Sequence, residues 1–203
     1  MAGIERGALF AALRVGGGEL GRRWGALLAE CRRRFPELKP KAVEDLHVTV
    51  AYLGHGWREA DLERVRATTR LELPEPPKAS LEVVRMGHRQ RVVALELRGL
   101  PERIAAEVIQ AKARLVALGL KRPEAQDGLF RPHVTLAERR GEPGGRALPA
   151  FAEWVGASLD LPSLVLDLGP ATPQVLLLAG ATRPLPGPDY LDVEVFLQQV
   201  SGR

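Results

Sequence analysis

Cysteine is nearly absent from this chain, with Cys31 alone among 203 residues. A single thiol excludes an internal disulfide framework, and with it the small secreted domains held together by bridges. The expected compartment is therefore the cytosol. Long apolar runs are missing too. Nothing approaches the ~20 residues that cross a bilayer, so no membrane partner is expected. The first residues hold no basic segment followed by an apolar stretch and a small-residue cleavage site, so no secretory signal is expected. Histidines number four, and neither His-Glu-x-x-His nor Cys-x-x-Cys occurs. Zinc asks for three or four His, Cys or carboxylate ligands, so no metal and no cofactor are expected.

What remains is a composition suited to a folded core: 45% hydrophobic residues with 27% charged and a net charge of +4. That balance argues against disorder and fits one domain over residues 1–203, expected to be a monomer. The mild basic excess is compatible with a phosphate-bearing ligand, and the many arginines fit a compositional bias equally well.

Periodicity divides the chain into alternating elements. Residues 8–15 read as an opening strand, closed by Gly16-Gly17-Gly18. Leu20, Trp24, Leu27, Leu28, Cys31 and Phe35 then recur at spacings of three and four, the stripe of an amphipathic helix. Cys31 lies on that stripe, which gives it a packing role. Arg22, Arg23, Arg32, Arg33 and Arg34 form a solvated opposite face. A second helix is expected over 59–71, with Leu62 and Val65 facing inward. Residues 73–78 are a Pro-rich passage between two halves, roughly 1–73 and 79–203. Strands at 80–84 and 91–97 are expected to pair as a hairpin. A helix opening at Pro101 carries Ile104, Val108, Ala111, Leu115 and Leu118 and closes at Gly119. Loops follow at 123–128 and 141–145, then three further strand candidates at 164–168, 174–179 and 191–197.

Two stretches stand out, residues 46–54 and 132–137. Each alternates apolar, His, apolar, Thr, apolar, the pattern of a strand buried on one face. His47 and Thr49 therefore share one face, as do His133 and Thr135. With four His and six Thr in 203 residues, two such pairs are not a product of composition. The setting repeats as well: His47 lies 39 residues after the opening strand begins at Ala8, and His133 lies 41 after Val92. This order suggests a structural duplication, with both polar faces turned to one cleft, although strands could be exchanged between the halves. Two imidazoles that titrate near neutrality suit paired general acid–base catalysis, and two hydroxyls could hold the oxygens of a phosphate. A phosphodiester, above all a strained cyclic one, matches that set. His55 and His88 fall in glycine-flanked turns and are read as exposed loop residues.

The stretches 46–54 (Leu-His-Val-Thr-Val-Ala-Tyr-Leu-Gly) and 130–137 (Phe-Arg-Pro-His-Val-Thr-Leu-Ala) resemble the two signature motifs of the two-histidine (2H) phosphoesterase family. The likeness is strongest to its bacterial and archaeal RNA 2',3'-cyclic phosphodiesterases, once called 2'-5' RNA ligases. Residues 9–13 and 91–93 resemble that branch's opening and mid-chain strands. The resemblance implies an α+β fold, bilobal with a pseudo-two-fold duplication, each lobe an antiparallel sheet with helices outside and a central cleft. It implies metal-independent hydrolysis of a 2',3'-cyclic phosphate at an RNA terminus to a 2'-phosphate. His47 and His133 would be the acid–base pair, in an order the near-symmetric motifs leave open, with Thr49 and Thr135 as phosphate binders. Arg131 is a candidate for a neighbouring phosphate, and Phe10 and Tyr52 are candidates for stacking on a base. The partner would be an RNA end or a small nucleotide. The chain departs from the branch in having Gly7-Ala8 before the opening strand, Arg139 one step late behind Glu138, and no polar stretch at 169–173. Other 2H substrates (cyclic nucleotides, ADP-ribose cyclic phosphate, 2'-5' oligonucleotides) and a non-catalytic RNA-binding module remain as alternatives.

Overall fold

A computed structural model describes residues 6–71, 78–87, 90–139, 147–167, 176–181 and 189–201. The expected passage over 73–77, His88, the 141–145 loop and the 169–173 tail lie outside the described residues. The elements run β1 (Arg6–Arg14), α1 (Glu19–Arg34), β2 (Leu38–Pro40), β3 (His47–Gly54), α2 (Leu62–Thr69), β4 (Lys78–Met86) and β5 (Val92–Arg98). After them come α3 (Glu102–Ala117), β6 (His133–Arg139), α4 (Ala147–Ser158), β7 (Leu166–Asp167), β8 (Leu176–Ala181), β9 (Tyr190–Asp192) and α5 (Val193–Ser201). The class is α+β, as expected. The strands form one antiparallel sheet in the order β7-β4-β5-β6-β3-β1-β8-β9, with β2 paired to the far end of β6.

The two signature strands, β3 and β6, stand side by side at the centre of that sheet. Each is flanked by an earlier strand of its own half, β1 beside β3 and β5 beside β6. The registers match. Arg14, Leu13 and Ala12 oppose His47, Val48 and Thr49, while Glu96, Leu95 and Ala94 oppose His133, Val134 and Thr135. β8 and β9 return from the end of the chain to extend the sheet beyond β1. The repeated register is compatible with a duplicated plan, within a single sheet and one contiguous core.

That core explains the stripes. Leu20, Trp24 and Cys31 of α1 are buried, and Phe35 caps the helix edge-on to Phe151 of α4, with ring centroids 5.3 Å apart. Ile104, Val108, Ala111 and Leu115 are the buried stripe of α3, whereas Leu118 caps the helix and is 47% exposed. Leu118 therefore lies off the stripe that its spacing suggests. α2 contributes Leu62 and Val65, after a short 3-10 turn at Glu59–Asp61.

Two expectations fail. The strand expected over 191–197 is β9 followed by helix α5. Leu191, Val193, Val195 and Leu197 alternate by chance; Val193 and Phe196, three apart, are the residues buried, and Val195 is 42% exposed. α4 has no counterpart among the expected elements, although Leu148, Phe151 and Val155 are its buried face at helical spacing. Within 164–168 the paired strand shrinks to Leu166–Asp167.

Candidate active site

Alternation along β3 and β6 buries Val48, Val50, Val134 and Leu136 and leaves His47, Thr49, His133 and Thr135 half-buried on the other face. The strands meet at one antiparallel bridge, Val48–Val134. In an antiparallel pair the neighbours of a bridge also stand opposite each other. His47 therefore stands across from Thr135 and Thr49 across from His133, with the imidazoles on one diagonal and the hydroxyls on the other.

A bulge follows each threonine. Ala12 opposes Thr49 but Ala11 opposes Ala51, so Val50 is the extra residue. Ala94 opposes Thr135 but Val93 opposes Ala137, so Leu136 is the extra residue. An extra residue inverts the alternation beyond it. Tyr52 and Glu138, which strict alternation would aim away from the histidines, are thereby turned to the histidine face. Phe10 opposes Tyr52 in register, and their ring centroids lie 5.0 Å apart.

Both imidazoles are held alike. His47 Nδ1 donates to the carbonyl of Asp45 at 2.7 Å, and His133 Nδ1 donates to the carbonyl of Arg131 at 2.9 Å. A carbonyl only accepts, so Nδ1 carries the proton and the neutral ring keeps its lone pair on Nε2. In each case the acceptor belongs to the residue two places before the histidine.

The surroundings of the two rings differ in charge. Across from His47 stands Arg14, whose guanidinium bonds the Glu44 carbonyl and the Asp192 carboxylate. The buried ammonium of Lys41 pairs with Glu138 at 2.8 Å and Asp189 at 3.1 Å. Burial pushes the His47 imidazole down to about 4; the bond to the Asp45 carbonyl opposes this, and Lys41, Arg14 and His133 add to it. The His47 imidazole is thus unprotonated at neutral pH. Across from His133 stands Glu96, gripped by Arg131 (Nε–Oε1 2.6 Å) and Arg98 (2.8 Å). The Arg131 bond is the main reason that the Glu96 carboxyl lies below its ordinary range. Backbone symmetry is therefore combined with different ion pairs: Arg14 and Lys41 with their carboxylates on the His47 side, and Glu96 with two arginines on the His133 side.

Thr49, Tyr52, Arg131 and His133 line one cavity of about 570 Å³. His47, Thr135 and Phe10 are not among its lining residues; Phe10 packs on His47 with ring centroids 6.1 Å apart, and the register sets Thr135 beside His47. Arg131 reaches the cavity, but its fork is engaged by Glu96. His55 is exposed and lines a separate depression with Trp57 and Arg58. Among the described residues no group of three or more His, Cys, Asp or Glu side chains is placed to hold a metal ion. The Cys31 thiol is buried, and that burial pushes it up to about 11, as suits a packing residue.

Sequence reasoning missed Tyr190, whose ring stands edge-on to His47 at 5.5 Å and to Phe10 at 5.2 Å. It also missed Lys41, Asp45 and Glu96. Asp45 and Arg131, each two residues before a motif histidine, carried a signal in their opposite charges.

A sheet with two His-x-Thr strands paired at its centre defines the architecture of a two-histidine site. No protein-family profile matches the chain, and no curated protein does. Solved structures do. TT0787 of Thermus thermophilus superposes with a TM-score of 0.56 at 22% identity, over 92% of this chain and 94% of that one. E. coli LigT complexed with 3'-AMP gives 0.54 at 18% identity, over 93% and 95%. A protein solved as a phosphoesterase gives 0.56 at 18%, over 93% and 95%. The chain has the fold of these proteins over nearly its whole length, and the resemblance read from the two motifs holds at that level. No described helix is long and apolar enough to cross a membrane.

Proposed function

We propose that the chain is a two-histidine phosphoesterase that hydrolyses a 2',3'-cyclic phosphate at an RNA terminus to a 2'-phosphate without a metal. The observation that carries this reading is the central quartet: two imidazoles on one diagonal, two hydroxyls on the other, and both Nδ1 atoms tied to main-chain carbonyls. LigT was solved with 3'-AMP, a nucleotide bearing phosphate on its 3'-oxygen, which supports a ligand of that chemistry.

The burial of His47 assigns it the part of the base. Its Nε2, unprotonated at neutral pH, takes a proton from water as the water oxygen attacks phosphorus. The bond from phosphorus to the 3'-oxygen breaks, and that oxygen takes the proton of His133 Nε2, across from the carboxylate of Glu96. The phosphate stays on the 2'-oxygen, and the histidines reset by proton exchange with solvent. Thr49 and Thr135 donate to the non-bridging oxygens as their charge grows. Phe10 and Tyr52 offer ring faces to the terminal base.

The test is hydrolysis of an oligonucleotide ending in a 2',3'-cyclic phosphate in excess EDTA, with the product regiochemistry read by mass spectrometry after 3'- or 2'-specific cleavage. Turnover to the 2'-phosphate is expected. His47→Ala and His133→Ala should each lose on the order of 10²–10⁴ in kcat. Turnover that requires added divalent metal, or near-full rate in either variant, overturns the mechanism.

A further inference from the structure

The two motifs differ most at the residue two places before the histidine, Asp45 in the first and Arg131 in the second. Both lend a carbonyl to the imidazole, but their side chains go different ways. Arg131 reaches along the sheet to Glu96. Asp45 is buried, and its two carboxylate oxygens each accept one main-chain N–H, from Asp189 at 2.9 Å and Tyr190 at 3.0 Å. Those donors are the residue before β9 and the first residue of it, about 145 residues further on. Burial of the Asp45 carboxyl costs free energy that the paired N–H bonds offset.

The start of β9 is held from three other directions. The Asp189 carboxylate bonds Lys39 Nζ at 2.6 Å and Lys41 Nζ at 3.1 Å, and Asp192 bonds Arg14 at 3.2 Å. On its far edge, Tyr190 pairs with Gly180 of β8. The result is a fixed place for the Tyr190 ring, edge-on to His47 and Phe10, with the Lys41 ammonium 5.6 Å from its centre. Tyr190 covers the imidazole that Asp45 orients.

We propose that Asp45 and Tyr190 form one positioning clamp for His47, in which Asp45 fixes the ring through its carbonyl and, through its carboxylate, fixes the aromatic cover that keeps the ring dry. This rests on the reading of His47 as the base. Charged and titratable groups surround His47 on every packed element: Arg14 on β1, Lys41 and Asp45 before β3, His133 and Glu138 on β6, Asp189 just before β9, and Tyr190 and Asp192 on it. Removing the cover admits water and weakens the main cause of the depressed imidazole, which is burial. Second-layer groups of this kind orient a ring and set its tautomer, and their loss is felt as rate at constant binding.

The experiment follows the four imidazoles by NMR through a pH titration of the ¹³C,¹⁵N-histidine-labelled protein, assigned with single histidine variants, alongside kcat and KM on the cyclic-phosphate oligonucleotide. In the wild type His47 is expected to titrate near 4. In Tyr190→Ala and in Asp45→Ala its midpoint should rise by at least ~1 pH unit towards the ordinary histidine value. kcat should drop about tenfold or more with KM little changed, and the acidic limb of the pH–rate profile should follow the midpoint. Tyr190→Phe, which keeps the ring, should restore the wild-type midpoint. A His47 midpoint unmoved in folded Tyr190→Ala overturns the clamp, as does an equal shift at His133, which would report general loosening. Tyr190→Ala carries the test alone if Asp45→Ala does not fold. The imidazole readout needs no turnover, so an inactive wild type would defeat the proposed reaction without deciding the clamp, which the midpoints decide.

Discussion

At the scale of single residues, the threonines offer the cleanest separation of chemistry from fold. Thr49 and Thr135 sit on strands where a β-branched side chain packs well, and valine keeps that shape while removing the hydroxyl donor. Thr49→Val and Thr135→Val should each lower kcat on the oligonucleotide by about 10²-fold. Their urea midpoints should stay close to that of the wild type. A rate loss with a matching loss of stability would mean that the hydroxyls serve the fold instead. Glu138 shows the same economy of placement: it lies on the histidine face only because Leu136 bulges, and there it neutralises the buried Lys41.

At the scale of elements, close backbone approach is what sets α1 against the sheet. A Cβ added at Gly21, in the first turn of α1, would lie 1.7 Å from the Gly16 carbonyl oxygen, while one added at Gly17 meets nothing within 4 Å. Trp24, one turn further on, donates its indole N–H to the Lys41 carbonyl at 2.9 Å, which ties the helix to the segment leading into β3. Gly21→Ala should therefore destabilise the protein by about 1–3 kcal/mol, since backbone must shift to admit the methyl group. Gly17→Ala should change stability by no more than about 0.5 kcal/mol. Equilibrium urea unfolding of the two variants side by side tests the difference. The other end of α1 is pinned by aromatic packing, with Phe35 against both Phe151 and Trp154 of α4.

At the scale of the molecule, the His47 imidazole couples stability to pH. The folded chain holds His47 near 4, against an ordinary value of 6.5, so the unfolded chain binds this proton first. The contribution is fully present above about pH 6.5 and is lost as pH falls through 4, amounting to roughly 3 kcal/mol. Asp189, Asp127 and Glu96, held low by their cationic partners, lose stability in the same direction at lower pH. The buried Asp45, whose carboxyl is raised by burial, works against them. Comparing wild type with His47→Gln at pH 7 and pH 4.5 isolates the histidine. The variant should lose less stability between the two values, and an equal loss in both would show that His47 is not held neutral.

What could be read from the chain alone was whatever depends on neighbours within a few residues. The period of two in 46–54 and 132–137 decided that each His and Thr share a strand face. The period of 3.6 decided the buried stripes of α1 and α3. The four residues of the quartet were legible for the same reason, because both motifs carry the His-x-Thr spacing whole. Where two periods fit equally short apolar runs, local pattern misled, as at 191–197, where burial of Val193 and Phe196 against the core selects a helix. The bulges after Thr49 and Thr135 are set by pairing with β1 and β5, which no single strand encodes. Only the tertiary structure could bring Asp45 to Tyr190 and set Arg14 beside one histidine and Glu96 beside the other. Those contacts join residues far apart in the chain, and they give two nearly identical motifs different surroundings, burial above all lowering the imidazole of His47.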